Sequence, residues 1–459
     1  MAPLRPYQTR GVEKFLATPA PHAMLFAWPM GAGKTAGAIE LVRRLQPMRL
    51  LIVAPALVRP AWYRQFEAWM PDAIGKIGVI TNGKRASNLT KAEKAARDAA
   101  FAAPWQIVSY NLLKETENEG WDFIVIDEAH RLRNPISAQS KLVRDRCRCN
   151  FAAHLLLLTG TPVPNEVRQL WNPIDMVQPG WFGLPQRNGK EPWRFLQTFC
   201  SKVQSEYGID FKGFNKDKEA YLKSLLSPLM HEVSERDVAP FLPPLFVEPL
   251  YVDGGAEMEI VDDWRADLPQ EITHYGVFAH LNDTRARVAT WLREKGYPVV
   301  EIDAAAHDAQ SRDMLLQRAK GMPAAIIVST THALNEGISL SFLKAGLVLE
   351  WTSEMSGMLQ FIRRFARQDA VNQMPTYLRF VVRPEDGDRA ATLQRRIDDK
   401  NKILQKALTD ELLSNVTTER SYSDADLEMM AAAALESFRT LEEWQDGEDY
   451  ESDSNSSEL

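Results

Sequence analysis

The stretch HAMLFAWPMGAGKTAGAIELVRRL, residues 22–45, decides the fold. It begins with a short apolar run that stops at Pro29, continues through two glycines, and then repeats apolar residues at Ile39, Leu41, Val42 and Leu45. That order reads as strand, turn and helix. Met30, Gly31, Ala32 and Gly33 form the turn, in which the two glycines can adopt backbone angles closed to other residues and turn N–H groups inward. Lys34 adds a mobile cation and the Thr35 hydroxyl suits Mg2+, so the expected ligand is the phosphate chain of a nucleoside triphosphate. The strict spacing G-x-x-x-x-G-K-[ST] would need glycine at position 28, where Trp28 stands.

Downstream, RLLIVAP (49–55), WQIVSYNLL (105–113), WDFIVIDEAH (121–130) and HLLLLTGTP (154–162) are further apolar runs separated by helical stretches. Near-continuous apolar strands alternating with helices predict an α/β fold with a parallel sheet covered on both faces. Such sheets bind ligands at the carboxyl ends of their strands, where the turn before Lys34 and the acid pair Asp127-Glu128 both fall. There Asp127 would hold the Mg2+ of bound ATP and Glu128 would orient and deprotonate the attacking water. The cation would offset the repulsion between two adjacent carboxylates.

MGAGKT, DEAH and TGTP, in this order and spacing, resemble motifs of helicase superfamily two. LIVAPALVRPAWYRQFEAW, IVSYNLL, DEAHRLRNPISAQS and LLLLTGTPVPNEVRQLWNPIDMVQPG are similar to blocks of its Swi/Snf-related branch, translocases on double-stranded DNA. The resemblance runs from about residue 4 to about residue 410. It implies two RecA-like sheet domains in tandem with a helical insertion between them. The expected boundaries are 1–172 for the first sheet, 173–265 for a helical protrusion and linker, 266–440 for the second sheet, and 441–459 for a disordered acidic tail.

Roles follow from the same resemblance. LRPYQTRGV (4–12) is similar to the adenine-recognising segment, with Gln8 reading the base. QFIRRFARQDA (360–370) matches the arginine motif, Gln360 opening it and Arg364 and Arg367 acting as arginine fingers, with Gly337 also on the ATP-binding side. The planar charge of arginine can follow charge that spreads over transferred phosphoryl oxygens. Arg59, Ser109, Tyr110, Ser329 and Thr330 are candidate DNA contacts, although each equally suits capping of a strand end. Thr159 and Thr161 would couple the nucleotide and DNA sites. GIDFKGFNKDKEAYLKSLL (208–226) looks most like the fork-remodelling, DNA-annealing subgroup. Three positions depart from the family pattern: Trp28-Pro29 in place of an acidic pair, His231-Glu232 in place of two arginines, and Gln368-Asp369 where a glycine follows the arginine motif.

The 459 residues exceed one ordinary core, and a composition of 45% apolar and 25% charged residues is that of a globular protein. No apolar run approaches bilayer-spanning length, the first residues lack a signal-peptide pattern, and three cysteines make neither a disulfide framework nor a zinc site. Residues 442–459 contribute eight carboxylates and no Lys or Arg to a net charge of −7, so the rest of the chain is near neutral and its charge neither favours nor excludes nucleic acid. The expectation is a bare motor, bacterial or bacteriophage in origin, monomeric and intracellular, acting with ATP and Mg2+ on duplex or branched DNA. A strand-separating helicase and a nucleic-acid-binding scaffold without hydrolysis are the competing readings.

Overall fold

The computed structural model describes residues 3–29, 31–81, 90–160, 167–186, 189–205, 208–238, 241–242, 245–307, 309–334, 339–350, 361–362, 364–365 and 375–383. The first sheet is built from β1 (Ala23–Ala27), β2 (Leu50–Ala54), β3 (Ile77–Val79), β4 (Trp105–Ser109), β5 (Phe123–Ile126) and β6 (His154–Thr159). After a two-stranded hairpin of β7 (Ser201–Ser205) and β8 (Gly208–Lys212), β9 (Met230–Glu232) returns to that sheet. The order is β3-β4-β2-β5-β6-β1-β9, and every neighbouring pair is parallel.

Alternation along the strands explains how both faces are covered. Leu51, Val53, Ile124, Ile126, Leu155 and Leu157 enter one core, and Leu50, Ile52, Phe123, Val125, Leu156 and Leu158 enter the other. The second of these cores is closed by α1 (Pro6–Leu16), α2 (Lys34–Leu45) and α3 (Arg59–Trp69), which supply Phe15, Ile39, Val42, Trp62 and Phe66. After α4 (Lys91–Ala102) on the β3 side, α5 (Ala138–Cys149) brings Val143 to the other face.

A second sheet comprises β10 (Leu245–Tyr251), β11 (His274–Ala279), β12 (Val299–Ile302), β13 (Ala325–Thr330), β14 (Ala345–Val348) and β15 (Thr376–Val382), in the order β10-β15-β14-β11-β13-β12. From β15 to β12 its neighbours are parallel. The two sheets meet through α3, where Arg64 pairs with Asp313 on the helix Ala309–Gly321. Two parallel-sheet α/β domains are therefore present, as expected.

The segment 173–265, expected as a helical protrusion and linker, carries helices such as Trp193–Phe199 and Glu219–Leu226 together with strands. It contains the β7–β8 hairpin, and its Phe195, Phe199, Phe211, Leu222 and Leu226 are buried in the same core as β2, β5 and β6. It also gives β9 to the first sheet and β10 to the second. The helix Glu257–Ala266 buries Ile260, Val261 and Trp264 against Tyr275, Val277 and Leu347 of the second sheet. Its apolar side groups need a face to cover, which the sheet and Val288 and Leu292 of the helix Asn282–Glu294 provide. Residues 384–459, with the expected tail 441–459 among them, lie outside the described residues.

Two of the departures from the family pattern turn out to be one contact. Trp28 is fully buried, stacks on Phe26 at 4.5 Å, and donates its indole N–H to Nδ1 of His231 at 2.9 Å. The indole fits because Gly11 on α1 and Gly37 on α2 lack Cβ atoms, which would come within 2.4 Å and 2.8 Å of its ring. Accepting that hydrogen bond requires a lone pair on Nδ1, so His231 must be neutral. Burial, and then the charges of Lys14 and Arg10, hold its pKa down at about 4.

A depressed imidazole fixes the sign of a pH effect. Between its ordinary value near 6.5 and about 4, the unfolded chain takes up a proton that the folded chain refuses, so stability falls as pH drops through that window. The urea midpoint of His231→Gln, which keeps an acceptor for Trp28, is expected to fall less between pH 6.5 and 4 than that of the unaltered protein. Equal falls would show that His231 is not the group that titrates.

Candidate functional site

The turn before α2 sits at the carboxyl end of β1 and closes on itself. Gly31 and Gly33 both take left-handed angles, φ 82° and 73°, and Gly33 caps α2 without any side chain over the first-turn N–H groups. Lys34 reaches back over the turn to the carbonyl oxygens of Trp28 and Pro29 at 3.1 and 3.3 Å. Thr35 follows, half-buried in the first turn of the helix. On the other side of the turn, the Ala32 carbonyl accepts the Gln8 amide at 2.8 Å and the Tyr7 hydroxyl at 3.1 Å. The Gln8 carbonyl oxygen accepts the Arg5 N–H at 2.8 Å. Gln8 is thus only 3% exposed and braces the turn; reading a base would require it to exchange these bonds.

The acid pair lies at the end of β5. Asp127 is 5% exposed and accepts the Trp62 indole N–H on Oδ2 and the Glu128 N–H on Oδ1, both at 2.9 Å. The Tyr110 hydroxyl donates to the Asp127 main-chain carbonyl at 2.6 Å. Glu128 takes the left-handed backbone angle φ 52°, uncommon for a side-chain-bearing residue and typical of sites where surrounding structure holds a strained turn. Its carboxylate lies 3.2 Å from Nδ1 of His130.

The environment separates the two carboxyls. Burial and the charge of Glu128 push Asp127 up to about 6, against the opposing pull of Trp62 and Lys34. Burial also opposes the charge of Glu128, but the His130 bond and the charges of Lys34, His130 and Arg364 together outweigh it and bring the group down to about 2. Glu128 keeps its charge while Asp127 is a buried anion short of positive neighbours, a donor set that fits a bound cation. Arg364 takes part although it belongs to the second sheet's half of the chain. It is 4% exposed, and its neighbours Phe361 and Phe365 are anchored on Phe278 of β11 at 4.9 and 5.7 Å. Lys34 therefore acts on both acids and Arg364 on Glu128.

The candidate DNA contacts are not on the surface. Arg59 is 4% exposed, and its guanidinium donates to the main-chain carbonyls of Ala56 and Ile80, so it staples α3 to the end of β3 instead of meeting solvent. Tyr110 is 3% exposed and spent on the acid turn. Ser109, at the end of β4, is buried. Ser329 donates to the Ile302 carbonyl at 3.1 Å, and the Thr330 hydroxyl accepts the Ala333 N–H at 3.3 Å, which is strand-end capping. Thr159 ends β6 and its carbonyl accepts the Trp28 N–H at 3.1 Å, directly beside the phosphate turn. Met30, Thr161, Gly337, Gln360 and Arg367 lie outside the described residues. Trp62 was missed, since nothing in the spacing of α3 announces a partner for Asp127. His130 stood inside the quoted motif with no role assigned.

Residues 7–256 match the SNF2-related domain family. The chain is 31% identical over 230 residues to the SWI/SNF-related matrix-associated actin-dependent regulator of chromatin subfamily A-like protein 1 of Xenopus tropicalis, covering 49% of this chain and 21% of that protein. It is 27% identical over 273 residues to the ATP-dependent helicase BRM of Arabidopsis thaliana, covering 57% of this chain and 12% of the relative. The matched stretches thus span about a fifth or less of these relatives. A solved structure titled Sulfolobus solfataricus SWI2/SNF2 ATPase core in complex with dsDNA aligns at 16% identity and TM-score 0.42, covering 86% of this chain and 92% of that one.

Tyr110→Phe leaves the buried Asp127 carbonyl without its donor. Unfolding free energy from chemical denaturation is expected to drop by about 1–3 kcal/mol. An unchanged midpoint would show that the hydroxyl does not hold the acid turn.

Proposed function

Since the chain belongs to the SNF2-related domain family, we propose that it is a DNA-dependent ATP hydrolase that moves along duplex or branched DNA. The observation that carries this reading is the convergence of Lys34, the unevenly titrating pair Asp127-Glu128, and Arg364 from the other sheet. In it, the N–H groups of the turn 30–33 and Lys34 hold the phosphates of ATP, and Gln8 faces the adenine after giving up the Ala32 carbonyl. Glu128, ionised and braced by His130, orients the attacking water and accepts its proton. Arg364 and Arg367 spread positive charge over the phosphoryl group as it transfers. Asp127 and Thr35 would hold Mg2+, which when bound offsets phosphate charge. Thr159 and Thr161 lie on the segment that would pass changes at the nucleotide toward DNA.

The finer reading is a Swi/Snf-like translocase that remodels forks or branched intermediates or displaces bound proteins, as a monomer inside a bacterial or phage-infected cell. Its fork-remodelling part rests on the resemblance of residues 208–226 to the DNA-annealing subgroup. Closure of the two sheets on ATP and reopening after hydrolysis would convert chemistry into steps, with phosphate contacts that carry no sequence preference.

Steady-state ATP hydrolysis with no nucleic acid, single-stranded DNA, duplex DNA, forked DNA and RNA tests the proposal. Duplex or fork is expected to stimulate strongly, Lys34→Ala to abolish turnover, and Arg364→Ala to lower kcat by about 10³-fold or more while ATP still binds. Stimulation by single strands or RNA alone would favour a strand-separating helicase. No hydrolysis under any condition would favour a scaffold.

A further inference from the structure

A buried indole N–H can be satisfied by a nearby carbonyl: Trp105 donates to that of Pro47 at 3.1 Å and Trp121 to that of Glu117 at 3.0 Å. Trp62, 1% exposed on α3, instead gives its N–H to a carboxylate, Oδ2 of Asp127, at 2.9 Å. The other oxygen, Oδ1, accepts the Glu128 N–H at 2.9 Å. Donors on both oxygens hold the carboxyl group against rotation about its Cβ–Cγ bond, and each oxygen keeps a lone pair for a cation. One donor belongs to the acid's own turn. The other is delivered by a separate helix, so the plane of the carboxylate depends on where α3 sits.

That helix is held from two sides. Toward the first sheet, Trp62 and Phe66 enter the core, and the Phe66 ring lies 5.9 Å from that of Trp105 on β4. On another side, Arg64 pairs with Asp313 on the helix Ala309–Gly321, which packs along β12 and β13 of the second sheet. Positions two apart lie roughly 200° around a helix, so the indole and the guanidinium leave α3 in opposite directions. A helix of 11 residues thus has the Asp127 carboxylate at one side and the second sheet at the other. A shift of the second sheet that pulls on Arg64 is delivered to the indole bond on Asp127.

We propose that Trp62 is a positioning residue for the cation-binding carboxylate Asp127, and that α3 ties the hold on Mg2+ to the docking of the second sheet through Arg64 and Asp313. This rests on the reading of the chain as an ATP hydrolase that uses Mg2+. Equilibrium binding of a fluorescent, non-hydrolysable ATP analogue, measured with saturating Mg2+ and again in EDTA, tests it without turnover. The ratio of Kd in EDTA to Kd in Mg2+ isolates what the cation contributes. Trp62→Phe, which keeps a ring and loses the donor, is expected to cut that ratio by about 10–100-fold with Kd in EDTA unchanged, the size usual for an outer partner of a metal ligand. Arg64→Gln, at the partly exposed ion pair, is expected to lower the ratio in the same direction. The double variant should fall no further than Trp62→Phe alone, because the two changes break one chain of contacts. Equal weakening of Trp62→Phe in Mg2+ and in EDTA, or no weakening, overturns the positioning role. An unchanged ratio in Arg64→Gln overturns the tie to the second sheet whether or not Trp62→Phe folds, as do additive losses in the double variant. Binding by the unaltered protein that ignores Mg2+ overturns the underlying hydrolase reading as well.

Discussion

Two carboxylates side by side at the end of a buried strand are the constraint around which this molecule is organised. Like charges at contact distance repel by roughly 3–4 kcal/mol even at the effective dielectric of a protein surface. The fold answers with neutral donors on one acid and cations around the other. Trp62 and the Glu128 N–H bond to Asp127, while His130, Lys34 and Arg364 favour the charge of Glu128. Those partners come from α3, from the turn after β5, from the start of α2 and from the second sheet's half of the chain. An isolated first sheet would hold the acids without Arg364, so the state of Glu128 is linked to the placement of the other sheet. That linkage is the physical content of a site shared between two domains.

Replacing a charged pair by Trp28-Pro29 exchanges solvation for packing. An indole stacked on Phe26 and wedged between α1 and α2 fixes the exit of β1 by apolar contact, with a single hydrogen bond to His231. Because His231 lies on β9, which pairs with β1, the same bond fastens the strand that leads toward the second sheet. The change at position 28 and the change at position 231 therefore make sense only together. A tryptophan without that acceptor would bury an unpaired N–H, at a cost of about 1–3 kcal/mol.

The first sheet was legible because its strands are apolar along their whole length and its turns carry punctuating glycine and proline. The acid pair and Lys34 were legible because their chemistry needs those residue types at strand ends. What could not be read was which way polar side chains turn. Arg59, Ser109, Tyr110, Ser329 and Thr330 sit at strand or helix ends, where a hydroxyl or guanidinium can face solvent or satisfy a carbonyl one strand away. Sequence spacing does not distinguish these, and burial settles each toward the protein. That the insertion shares the first sheet's core could not be read for a related reason. Phe195 and Phe199 keep a helical spacing, but the spacing does not say which sheet they cover, so the core they share with Phe211 and the first sheet is a property of tertiary packing.

That shared core bears on how force could pass through the molecule. Phe195 and Phe199 pack with Phe182, and Phe211 contacts Trp193. Phe182, Phe195, Phe199, Phe211, Leu222 and Leu226 are therefore part of the first sheet's core. A load-carrying DNA contact is useful to a motor only if it cannot slip relative to the nucleotide site. Aromatic packing supplies that stiffness where a surface loop on an independent protrusion would not.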